Sequence, residues 1–171
     1  MASARTTRTV YLPSAPGAAE EFRRSGRLDR AEGISVDVAY ARRRDLDLAV
    51  PDDEEEADFW ALTDAAARSL AGSSAGPRFV VAVRVRPDQL VADPEAGSGR
   101  VTVSGVDWAQ VSALFVDEPA ALPAVAAARA VRTEPAVFAE HIAALVAEHD
   151  LLWYAPDELD ALLGGGPQAR R

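Results

Sequence analysis

Trp153 and Tyr154 are adjacent aromatic residues with a polar handle each, followed at once by Pro156-Asp157-Glu158. Such rings either fill a core or present a face to a ligand. Near the other end, Tyr11 and Ser14 stand in a similar setting. Pro13-Ser14 and Pro156-Asp157 both fall where a strand ends and a helix opens. Open sheets bind ligands beyond the carboxyl ends of parallel strands. With the two strands as parallel neighbours, Tyr11, Ser14, Tyr154 and Asp157 line one crevice, with Asp157, Glu158 or His149 as acid–base groups. The plainer reading of Trp153-Tyr154 is core packing.

Other motifs point less far. Gly72-Ser73-Ser74-Ala75-Gly76 fits the letters of a nucleophile elbow, which needs a strand before the serine and a helix after it. Here the pattern predicts a helix before and a strand after, so the stretch reads as a small-residue loop. His141 and His149, the two histidines, are two helical turns apart, beyond the i, i+4 spacing that holds one metal. The acidic run from Asp52 to Glu56 lacks the glycine and alternating ligands of a calcium loop and reads as a helix start. Arg42-Arg43-Arg44 reads as a solvated surface turn, with an anion or acidic-partner contact as the alternative. There is no cysteine, hence no disulfide, thiolate nucleophile or zinc–thiolate site. No metal or other cofactor is expected.

These residues must be positioned by a sheet and its helices. Leu151 to Ala155 is an unbroken apolar run, which predicts a strand buried on both faces in mid-sheet. Pro156 ends it and opens a short helix carrying Leu159, Leu162 and Leu163. Further strands are predicted at Thr9–Pro13, Ile34–Tyr40, Phe79–Arg86, Arg100–Ser104 and Val111–Val116, with 27–33 a polar loop and 87–99 a loop flexible at Gly97-Ser98-Gly99. Asp37 would discourage pairing on an edge-like strand. Helices are predicted from Ala15 to Ser25 with Ser14 as N-cap, from Asp52 to about Ala71, from Pro119 to Val131 and from Glu134 to His149. The core face of the second is read as Phe59, Leu62, Ala66 and Leu70. The stretch between strands 111–116 and 151–155 is long enough for a right-handed parallel crossover. The fold class is α/β (or α+β): a single mixed sheet of about six strands with about five helices packed on it. Residues 8–164 form one globular domain between disordered tails at 1–7 and 165–171.

Three stretches resemble a known family: Val10-Tyr11-Leu12-Pro13, the acidic helix opening into Phe59-Trp60-Ala61-Leu62, and the run LLWYAPDEL from Leu151 to Leu159. Together they are similar to a family of small proteins of unknown function from high-GC Gram-positive bacteria, across about residues 8–163. That resemblance implies no activity, cofactor or catalytic residue.

Net charge is −9, and four of the 18 arginines lie near the ends, so the body is more acidic still. Such a surface repels phosphate backbones, which argues against nucleic acid as a partner. All basic residues are arginine, with no lysine, as GC-rich codon usage would give. No apolar run approaches the roughly 20 residues that span a bilayer. The chain reads as soluble and cytoplasmic. Its expected function is a small acidic protein-binding or regulatory module without catalytic activity; the alternative is a small-molecule-binding protein or enzyme using the crevice above.

Overall fold

The structure is a computed structural model that describes residues 7–95 and 97–164. Apart from Thr7, the tails at 1–7 and 165–171 lie outside the described residues. β1 (Arg8–Ser14) is followed by α1 (Pro16–Ser25), β2 (Arg27–Ile34), α2 (Val38–Arg42) and α3 (Pro51–Gly72). Next come β3 (Phe79–Val85), β4 (Leu90–Ala92), β5 (Arg100–Asp107) and β6 (Val111–Asp117). The chain closes with α4 (Leu122–Ala130), α5 (Pro135–Glu148), β7 (Leu151–Tyr154) and α6 (Leu159–Leu163).

The strands form one seven-stranded sheet in the order β4-β5-β2-β1-β3-β6-β7. Every pairing is antiparallel. A single α/β sheet packed by helices is what the sequence predicts; a mixture of strand directions is not what forms. The reason lies between β6 and β7. α4 and α5 run out and back over the end of α3, burying Val125, Ala128 and Leu145 against Leu70. A helix pair has little net displacement, so the chain returns to the end it left, and Leu151 pairs with Asp117.

β1, β3 and β6 are covered on both faces. On one, Val10, Leu12, Val81, Val83 and Leu114 meet Phe22 of α1 and Leu159 of α6. On the other, Tyr11, Val80, Ala82 and Ala113 meet Ala61, Ala65 and Ala66 of α3. The core stripe of α3 is therefore alanine, with Ala57, Ala61 and Ala65 at four-residue steps and fully buried. Alanine keeps the helix backbone close to the sheet and is the strongest helix former. Phe59, assigned to that stripe by periodicity, is 48% exposed instead.

Several local assignments change: the strand predicted at Ile34–Tyr40 gives way after Ile34 to α2, and the loop predicted at 87–99 contains β4. Residues 27–34 form β2, not a loop, and seven residue pairs join it to β5. Asp37 does not guard an edge; it caps α2, its carboxylate accepting from the Tyr40 N–H at 2.7 Å. Nor does Ser14 cap α1: Ala15 holds that position without a side-chain hydrogen bond. Gly26, at φ 74°, stops α1 in the left-handed conformation that glycine adopts freely. Gly97 and Gly99 are packed on Arg43 and Tyr40.

Candidate functional site

β7 is an outer strand of the sheet. Its one strand neighbour is β6, where Trp153 stands opposite Phe115 and Leu152 opposite Val116. Trp153 is 60% exposed and Leu152 38%. The predicted mid-sheet burial of this run is therefore wrong. An apolar stretch reveals that a side chain prefers burial, not that the fold supplies a cover, and here α5 ends at Glu148 without crossing over β7.

Beside this edge is a groove of about 430 Å³ walled by α3, the end of α5 and β7. Phe59 and Leu62 of α3, Val146 of α5, and Leu152 and Trp153 give it an apolar rim. Its base is rigid. Arg78 and Asp117 form an ion pair with side chains 2% and 0% exposed. Arg78 donates from Nε and Nη2 to Oδ1 at 2.9 and 2.6 Å, and its backbone N–H donates to Oδ2 at 2.6 Å. Arg78 Nη2 also reaches the His149 carbonyl at 3.4 Å. His149 Nδ1 lies 2.8 Å from Glu118 Oε1. Breaking such a buried pair by removing one partner costs about 3–5 kcal/mol. These contacts fix where α5 stops and β7 starts. Arg78 and His149, which line the groove, are both engaged, whereas Asp150 has no ion pair or hydrogen bond among the described residues.

The four sequence-predicted residues are not brought together. β1 and β7 run in opposite directions with β3 and β6 between them. Tyr11 belongs to the α3 face, 6.4 Å edge-on from Phe115. Tyr154 packs on the opposite face, against the α1 and α6 core. Ser14 ends β1 beside a separate cleft. Asp157 is exposed in the turn before α6, on neither β1 nor its cleft. The parallel adjacency the crevice requires is absent.

Tyr11 does have a chemical neighbour that sequence reading missed. Burial, and then the Asp58 carboxylate that accepts from its hydroxyl, push the phenol well above its usual range. Burial likewise raises Asp58, against the lowering effect of the Tyr11 hydrogen bond. A second tyrosine, Tyr40, donates to Asp64 at 2.7 Å, where Arg44 donates to the same oxygen at 2.7 Å and stacks 3.9 Å over the ring. Burial leads in raising the Tyr40 phenol too, followed by the Asp64 hydrogen bond. Arg44 thus leaves the solvated triplet of the sequence reading and becomes part of the α2–α3 joint. These are structural pairs, with protons held tightly rather than poised for transfer near neutral pH. The serine loop at 72–76 follows a helix and precedes a strand, the reverse of a nucleophile elbow. Among the described residues no group of three or more His, Asp or Glu could hold a metal ion.

An open apolar edge beside a groove is thus what this small α/β protein presents at β7. A family model described as a family of unknown function (DUF6912) matches residues 8–163, and the chain belongs to that family. No curated protein and no solved structure matches it.

Proposed function

We propose that this is a protein-binding module that accepts an extended segment of a partner along β7. The single observation behind the reading is the exposure of Trp153 and Phe59 on one face beside the outer strand β7. An outer strand offers unpaired backbone groups, and an added strand takes its affinity from them and its specificity from side-chain pockets. Alternate side chains of the guest would fall toward the groove beside Trp153. Charge selects the guest: the chain carries −9, and Asp150 on the rim has no ion pair among the described residues. The partner segment is therefore basic with spaced apolar residues. Pairing of β7 with a second copy is disfavoured, because antiparallel self-addition brings Asp150 toward Asp157 and Glu158. The absence of cysteine supports a reducing, cytoplasmic setting, and the acidic surface argues against nucleic acid. No helix among the described residues is long and apolar enough to cross a membrane.

Selection of peptides from a random extended library tests this. The expected winners alternate apolar residues with Lys or Arg and lose at least tenfold in affinity on Trp153→Ala, a size typical of a central aromatic anchor. Winners indifferent to Trp153, or acidic ones, contradict the proposal.

A further inference from the structure

Far from β7, the sheet has a split. β1 pairs with β3 over seven residues, and β2 with β5 over seven, but β1 and β2 share a single pair, Tyr11 with Ile34. They touch where Gly33 lets them cross: a Cβ there would come within 2.9 Å of the Tyr11 carbonyl oxygen. Beyond that crossing, toward Ser14, the strands diverge. Pro13 sits in the diverging part and has no N–H to offer a neighbour. Backbone groups of Leu12 to Ser14 that point away from β3 have no strand to meet, and such groups need water or a ligand.

The opening holds two neighbouring chambers that share Pro13, Ala31 and Arg68 as lining. The smaller, called inner because core residues floor it, is about 270 Å³ and lined by Leu12, Ala18, Phe22, Leu28 and Val81. The larger, about 540 Å³, is of mixed polarity, with Glu32, Asp93 and Arg100 on its walls beside Ile34, Val91 and Val101. Asp93 is already neutralised: Arg100 donates to one of its oxygens at 2.6 and 3.2 Å. Arg68, at the junction, makes no hydrogen bond or close ion pair among the described residues, although, after the Glu95 N–H and Arg100, its charge helps to hold the Asp93 carboxyl below its usual range. A guanidinium with free donors above an apolar floor suits a carboxylate joined to an apolar body.

We propose that the split between β1 and β2 is a second binding site, for a small organic carboxylate whose apolar body enters the inner chamber and whose carboxylate meets Arg68. The site is independent of the β7 edge. Of the four residues singled out by sequence, Ser14 alone borders it.

The test is an amide NMR titration of the full chain with 3-phenylpropionate, beside the uncharged 3-phenylpropanol. The acid is expected to shift the amides of Leu12, Ser14, Ala18 and Ala31 and to leave Leu151–Tyr154 in place. Arg68 is exposed, so Arg68→Gln should fold normally, weaken the acid about tenfold and leave the alcohol unchanged, as loss of a charge-assisted hydrogen bond requires. Ala31→Leu should weaken both by filling the inner chamber. Absence of shifts at millimolar acid, shifts confined to other regions, or equal binding by wild type and Arg68→Gln would overturn the proposal.

Discussion

At one edge of the sheet, β4 offers three residues, with Val91 67% exposed. At the other, β7 offers four, with Trp153 60% exposed. The exposures are close, yet the surroundings differ. β4 is followed by Asp93-Pro94 and flanked by the Asp93–Arg100 ion pair, and Val91 looks out among Arg68, Glu32 and Arg100. A short strand fenced by charge and proline is how soluble proteins discourage edge pairing. β7 is bounded by Asp150 and Pro156 as well, but here Phe59, Leu62 and Val146 extend the apolar surface around Trp153. A lone exposed apolar side chain needs no explanation, whereas a contiguous patch on an open edge marks an interaction site.

The largest effect that would test this contrast is on stability. Asp117→Ala leaves Arg78 charged and buried beneath the β7 groove and should cost about 3–5 kcal/mol in urea unfolding. Asp93→Ala at the β4 edge removes a half-buried partner of the exposed Arg100 and of the Glu95 N–H, and should shift the unfolding midpoint far less than Asp117→Ala does. Equal effects would mean that the two edges are anchored alike. The next effect is on binding. Trp153→Ala should weaken a selected basic peptide by about 2 kcal/mol, roughly 30-fold, with little change in stability, whereas Val91→Ala should change neither. Titration by calorimetry separates the outcomes.

A smaller effect concerns the face behind the groove. The Asp58 pKa is raised in the folded state, so folding favours its protonated form. Its contribution to stability is present at pH below the unfolded carboxylate pKa and is lost as pH rises through the folded one. Asp58→Asn keeps an acceptor for Tyr11 and removes the half-buried charge. It should raise the melting temperature at pH 7 by about 1–2 °C and lose that gain toward pH 4. A gain that persists at low pH would assign the effect to something other than charge.

Most of the architecture is legible in the sequence, because most elements carry their own punctuation. Gly26 ends α1, Pro51 and the acids after it start α3, and Pro156 closes β7. The failures are of another kind. β2 reads RLDRAEGI and lacks regular alternation, so its strand character comes from the seven pairs it makes with β5. Periodicity favours the large side chains of α3; Ala66, Leu70 and, in part, Leu62 of the predicted stripe do pack inward, but Phe59 is preferred over Ala57, Ala61 and Ala65. The spacing of Ala57, Ala61 and Ala65 was a signal available to find that face. The candidate site was legible only in part: the sequence draws attention to Trp153, but whether its ring is covered depends on where α4 and α5 leave the chain, which no local pattern encodes. The split between β1 and β2 is likewise a property of strand crossing at Gly33, visible only in three dimensions.

Hydrogen exchange at the amides of Leu151–Tyr154, free and with a selected basic peptide, probes the binding edge most directly. The edge reading predicts that the outward-facing amides exchange fast in the free chain and become protected on binding, while Leu90–Ala92 stay as they were. Amides of β7 already protected in the free chain, or protection that rises elsewhere and not along β7, would contradict it.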